Sequence, residues 1–188
     1  MTVAQLDALP AREAEELLKS CCGSRRWVHG MLGRRPFGDV ASVVRAAEEV
    51  WWSLGPEDWR QAFAHHPRIG EREAAAEQGP RARAWSAGER RDVDSAEPDV
   101  RAALAAGNRD YERRFGHIYL VSAAGKTAEE LLALLRARLS NDADTELRVA
   151  ASEQAKITRL RLLELVGATD ADLARSSTLH PPPSTLPQ

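Results

Sequence analysis

Ile118-Tyr119-Leu120-Val121 is a short apolar run with strand-like composition, and no second run in the chain offers it a partner. A lone strand leaves ladder groups unpaired, and so small a strand fraction excludes Rossmann and barrel architectures. The run is read as a single strand or a buried extended segment set among helices.

Helix signals fill the rest. Pro10 ahead of Ala11-Arg12-Glu13-Ala14-Glu15-Glu16-Leu17-Leu18 predicts a helix with proline in its first turn and acids near its positive end. Asp39 caps a second helix through Val40, Val43, Val44, Ala47, Val50 and Trp51, spaced three and four apart. Pro56-Glu57-Asp58-Trp59 opens a short third helix that Pro67 must end. The residue before a proline is biased out of helical geometry, so His66 is expected at a helix exit, presented into a cleft.

Residues 71–84, with Gly79-Pro80 inside them, are expected to be irregular or loosely helical. Pro98 begins a helix through Val100, Leu104 and Tyr111 to Phe115-Gly116. Thr127-Ala128-Glu129-Glu130 is a capping box ahead of Leu131, Leu132, Leu134, Leu135 and Leu139. Asp142 or Asp144 caps the last long helix, which reaches about Val166-Gly167. The expected fold is all-α: a single compact helical domain over 1–168, with a short extended segment near 117–122. Residues 169–188 are polar and proline-rich and are expected to be a disordered tail.

The length of 188 residues suits one domain, and 43% hydrophobic content supplies a core. No stretch approaches the roughly 20 unbroken apolar residues of a membrane span. A net charge of -2 gives no broad pull on nucleic acid or anionic lipid, so neither is an expected partner. Met1-Thr2-Val3-Ala4-Gln5-Leu6-Asp7 lacks the pattern of a secretion signal, and Thr185-Leu186-Pro187-Gln188 is not a retention or peroxisomal address. Cys21 and Cys22 are adjacent, where a disulfide closes only with strain. A cytoplasmic setting is expected.

Chemistry could reside in three places. His66 is either a solvent-facing group beside a negative helix end or a proton-handling group. With His29 and His117 it forms no His-x-x-x-His or Glu-x-x-His spacing, so no metal is expected. Ser86-x-x-Glu89 is either a capping box or a carboxylate that orients the histidine. Ala150, Gln154, Ile157, Arg161 and Leu165 fall on one helix face. A guanidinium in that stripe either snorkels out, pairs with a carboxylate, or clamps a carboxylate or ureido substrate. No glycine-rich phosphate loop and no Gly-x-Ser-x-Gly turn is present.

Five pieces in order resemble the 2-oxo-4-hydroxy-4-carboxy-5-ureidoimidazoline (OHCU) decarboxylase family. They are Ala64-His65-His66-Pro67-Arg68-Ile69-Gly70, Trp85-Ser86-Ala87-Gly88-Glu89, Tyr111-Glu112-Arg113-Arg114-Phe115-Gly116, Arg138-Leu139-Ser140-Asn141-Asp142 and Lys156-Ile157-Thr158-Arg159-Leu160-Arg161-Leu162. The similarity covers roughly residues 4–166. It implies an all-helical fold, usually a homodimer, acting without metal or organic cofactor on a small ureidoimidazoline to release (S)-allantoin and carbon dioxide. It implies His66 as catalytic acid/base with Glu89 as its carboxylate partner. Ser86, Arg161 and the backbone of Ile118, Tyr119, Leu120, Val121 and Ser122 are implied substrate-binding groups, with Pro67 shaping the pocket.

One position departs from the family's Ser-x-x-Glu-Gln: Arg90 follows Glu89. An amide donates and accepts, whereas arginine only donates, so Arg90 either contacts the substrate carboxylate or points away while another group fills the role. Two alternatives stand beside the decarboxylase: an enzyme on the same scaffold with another heterocyclic substrate, and a non-catalytic helical interaction module. Convergence of His66, Glu89 and Arg161 on one pocket separates the enzymes from the module.

Overall fold

The computed structural model describes residues 1–68, 81, 83–85 and 96–173, and among these no residue is in a strand. In chain order the helices are α1 (Val3–Ala8), α2 (Ala11–Cys21), α3 (Arg25–Leu32), α4 (Val40–Ser53), α5 (Pro56–Phe63), α6 (Pro98–Phe115), α7 (Ala128–Arg138) and α8 (Ala143–Leu165).

Short oxygen-bearing side chains start most of them. Asp39 accepts from Ser42 N–H at α4, Thr127 and Glu130 close a capping box at α7, and Asp142 accepts from Thr145 N–H at α8. Each satisfies a backbone donor that has no partner inside the helix. The expected α6 runs from Pro98 and ends at Gly116, whose φ of 72° lies in the left-handed region. Pro10 stands just before α2 rather than in its first turn. Two helices were absent from the sequence-based expectation: α1, with a Thr2–Gln5 capping box, and α3, capped by Ser24. Both are short, so their apolar periodicity spans too few turns to stand out.

The 118–123 run forms no strand, so of the two expected readings the buried segment is the one found. Tyr119, Leu120, Val121 and Ser122 are buried and Ile118 is half-buried. The folded part also passes the expected boundary at residue 168. Residues 170–173 make a helical turn, Thr169 N–H donates to Asp172 Oδ2 at 2.8 Å, and Leu173 packs on the core. The rest of the expected tail, 174–188, lies outside the described residues, as do 71–80 and 82. Residues 81 and 83–85 are helical. No helix among the described residues is long and apolar enough to cross a membrane.

The apolar core falls into two clusters. The larger draws on α1–α5 and α8; the smaller joins α6, α7 and the 119–123 segment. Buried indoles lock the larger one. Trp27 Nε1 donates to Ala47 O at 3.1 Å, Trp51 Nε1 to Ala151 O at 3.0 Å, and Trp59 Nε1 to Trp51 O at 3.3 Å. Each indole supplies apolar area and satisfies its one donor on a neighbouring helix or turn.

Between the clusters lies a buried polar knot. Arg138 at the end of α7 donates to Glu146 Oε1 through Nε at 2.8 Å and Nη2 at 2.5 Å. Its Nη1 holds Leu120 O at 2.8 Å. Tyr111 of α6 donates its hydroxyl to the same carboxylate, and Asn141 Nδ2 reaches Glu146 Oε2 at 2.7 Å. Glu146 is fully buried, so its desolvation is offset only by this full set of donors. Removing one member strands a buried charge. Arg138→Met is expected to lower unfolding free energy by about 3–5 kcal/mol, with Arg138→Met/Glu146→Leu recovering part of that loss in urea denaturation.

Candidate active site

α5 stops at Phe63 because the chain cannot stay helical into Pro67. A further turn follows, in which His66 N–H donates to Phe63 O at 3.0 Å. His66 and Pro67 are buried there. The helix exit is as expected, but the ring faces the interior rather than open solvent.

His65 fixes the depth of this turn. Its Nδ1–H donates to Gln61 O at 2.9 Å, and its ring lies against Gly23. A Cβ at Gly23 would stand 2.2 Å from His65 Cγ, so the corner between α2 and α3 admits no side chain.

Across from this turn runs the buried face of α8. Gln154, Ile157, Thr158 and Arg161 are all buried there. The surface-snorkelling reading of Arg161 is thereby overturned: the residue is 4% exposed. Its Cζ lies 5.8 Å from the centre of the Trp85 ring, a cation–π contact. Trp85 is the residue before the expected Ser86–Glu89 stretch in the sequence. Ser86, Glu89 and Arg90 themselves lie outside the described residues.

These neighbours set the chemistry of His66. Burial disfavours its charged form, the Arg161 guanidinium repels a second positive charge, the Gln154 amide favours protonation, and His65 adds a lesser opposing effect. The net result pushes the pKa down to about 3. The resting ring is therefore neutral. Burial likewise pushes the Cys21 and Cys22 thiols up to about 12, and both are free, so they serve as small apolar groups.

The 118–122 segment enters beside the same turn. His117 packs on Phe63 with ring centroids 5.3 Å apart, and its Nδ1–H donates to Ile118 O at 3.1 Å. Ser122 N–H is taken by Glu153 Oε2 at 2.7 Å, and Leu120 O by Arg138. Both bonds restrain a backbone that carries no ladder. His29 is exposed on α3 while His117 is buried among aromatics, so the three histidines do not gather. No group of side chains suited to hold a metal ion occurs among the described residues.

Sequence reasoning placed His66 and Arg161, and the structure brings them together. It did not single out Trp85 as the face over Arg161, nor Gln154 as a neighbour of His66. A signal for Gln154 existed: an amide two turns before Arg161 on an apolar stripe needs a partner.

The low pKa carries a consequence for stability. Below about 6.5 an unfolded chain protonates this histidine, whereas the folded one resists until about 3. Stability should therefore fall as pH drops through this window and be unaffected by His66 above it. His66→Asn is expected to flatten that loss by up to about 1.4 kcal/mol per pH unit between pH 6 and 5, read from urea unfolding.

With this geometry in hand, comparison with known proteins is informative. The family model described as OHCU decarboxylase matches residues 7–163. The uric acid degradation bifunctional protein TTL of Arabidopsis thaliana is 30% identical over 175 residues, covering 93% of this chain and 54% of the relative. The uric acid degradation bifunctional protein PucL of Bacillus subtilis (strain 168) is 23% identical, covering 88% of this chain and 33% of the relative. The chain thus spans about half or a third of the curated relatives it matches. A crystal structure of OHCU decarboxylase in the presence of (S)-allantoin superimposes with a TM-score of 0.69 at 29% identity, covering 81% of this chain and 98% of that one. A crystal structure of (S)-allantoin synthase shares the fold, with a TM-score of 0.66 at 16% identity over 87% of this chain and 54% of that one. A helical scaffold that buries a neutral histidine against an arginine, matched along nearly its whole described length, belongs to the OHCU decarboxylase family.

Proposed function

We propose that this chain decarboxylates 2-oxo-4-hydroxy-4-carboxy-5-ureidoimidazoline to (S)-allantoin and carbon dioxide. The observation that carries the reading is the shared buried site of His66 and Arg161. The solved relative studied with (S)-allantoin supports the substrate class.

The chemistry follows from charge. The substrate carboxylate sits against Arg161, where a guanidinium can make two parallel hydrogen bonds to it. That pairing offsets the repulsion that Arg161 adds to the larger effect of burial, so the ring takes up a proton more readily once the anion is bound. The carbon–carbon bond then breaks. Its electron pair moves between the two ring carbons and onto the ring nitrogen of the adjacent C=N bond, and carbon dioxide leaves. With the carboxylate gone, the imidazolium is again disfavoured in the buried site, and it gives its proton to the ureido-bearing ring carbon, while the neighbouring hydroxyl passes its proton to the ring nitrogen and becomes the carbonyl. His66 ends neutral, as it began. Delivery from one fixed ring reaches one face, which is what yields a single enantiomer.

Glu89 is the expected carboxylate partner of His66, and Ser86 and the 118–122 backbone the expected contacts to the ring and ureido groups. The protein is expected to be a homodimer, as the family resemblance implies. A cytoplasmic setting suits its two free buried thiols.

The Arg161 contact also speaks against a non-catalytic module, since two separated sequence features meet at one buried point. A second reading, a related heterocycle as substrate, is favoured by Arg90 in place of the family's glutamine. If it holds, Arg90→Gln should raise kcat/KM on the ureidoimidazoline severalfold.

The decisive assay generates the intermediate in situ from urate and follows optical activity by circular dichroism. Spontaneous decay has no facial preference and gives no signal. The wild-type chain should produce the (S) signal and His66→Ala should not, with its melting transition retained. Arg161→Met should lose about tenfold or more in kcat/KM, the size of a charge-assisted pair. A wild-type trace identical to spontaneous decay would overturn the proposal.

A further inference from the structure

Gln154 is completely buried on α8, yet one of its two polar atoms goes unused. Its Nε2 donates to Thr158 Oγ1 at 3.1 Å one turn along the same helix. That bond fixes the amide plane and decides which way the oxygen points. Oε1 has no hydrogen-bond partner, although it is buried. An unsatisfied buried carbonyl is costly, so its persistence asks for a reason.

The reason lies across the cleft. The Gln154 amide stands against the His66 ring and favours its protonated form, while at rest its oxygen makes no aligned hydrogen bond. The other groups coupled to the ring among the described residues, Arg161 on α8 and His65 next in the chain, both oppose a positive charge. Gln154 is thus the one neighbour in this set whose dipole welcomes the proton.

We propose that Gln154 is the positioning residue of His66: its carboxamide oxygen is held empty at rest and accepts a ring N–H when His66 becomes imidazolium during turnover. One ring nitrogen is then held by Gln154, which leaves the other to the cleft. The acceptor left bare in the resting site is filled in the protonated one, where it has more to gain. Thr158 serves as the anchor that keeps the amide from flipping.

This inference rests on the decarboxylase reading, and two measurements keep the two apart. The first uses the free protein. In nitrogen-15 NMR titrations, Gln154→Glu places a carboxylate at the same spot and should move the protonation of His66 upward by at least one pH unit. The second uses turnover. Gln154→Met, of similar volume but without an acceptor, should lower kcat by about tenfold or more with KM within about twofold, and Gln154→Glu should recover part of kcat. A purely structural role would leave the His66 titration and the split between kcat and KM unmoved.

A folded Gln154→Met enzyme with wild-type kcat overturns the proposal, as does a Gln154→Glu protein whose His66 titrates where the wild type does. Should Gln154→Met fail to fold, the Gln154→Glu titration decides alone. A shifted titration in a chain that makes no (S)-allantoin would uphold the Gln154–His66 contact, overturn its role in turnover, and reject the decarboxylase reading.

Discussion

The Arg138–Glu146 pair holds this molecule in register. Glu146 is fully buried, and it is neutralised by a guanidinium and further satisfied by a phenol and an amide. Those donors come from α7, α6 and the turn before α8, so one carboxylate collects three parts of the chain. The same guanidinium reaches on to Leu120 O and so holds a segment that has no ladder to hold it. Burying an ion pair is costly, and a well-packed apolar substitute is often at least as stable. What the pair adds is direction. Apolar packing would tolerate several positions for the 118–122 backbone, whereas five donor groups on one guanidinium prescribe one.

A second charge is used in the opposite sense. Arg138 is bound to Glu146; Arg161 is buried beside a histidine whose neutral form, set first by burial, it further favours. The two arginines show how burial creates either a clasp or a lever. A matched charge stabilises the folded state. A charge buried beside a titratable ring adds to the effect of burial on that ring, and an anion arriving at the site changes the balance. Stability at low pH is the cost, since the buried ring refuses a proton that the unfolded chain accepts.

The long helices were legible because each carries an amphipathic period and a cap: Asp39, Thr127 and Asp142 sit where their side chains close the first turn. α1 and α3 were not, since one or two turns give periodicity too little length to register. His66 at a helix exit followed from Pro67 alone. Its depth did not, because that depends on His65 lying against Gly23, a contact between residues far apart in the chain. Arg161 was visible as a charge in an apolar stripe, but whether it turns outward or inward is a matter of what packs above it, here Trp85. Charge state was the least legible property. The composition of the His65-His66-Pro67 run says nothing of desolvation, which arises only when α8 closes over it.

α8 carries Glu146 near its first turn and Arg161 near its last, on a continuous helix. At about 1.5 Å per residue, the clasp and the lever stand some 22 Å apart on one rigid rod. The rod acts as a ruler with an angular scale: each residue added or removed between them turns one end about 100° against the other. An insertion there would leave every contact at Glu146 intact and still swing Arg161 away from His66. Length variation in relatives should therefore fall in the connections between helices, while the fifteen steps from Glu146 to Arg161 stay constant in number.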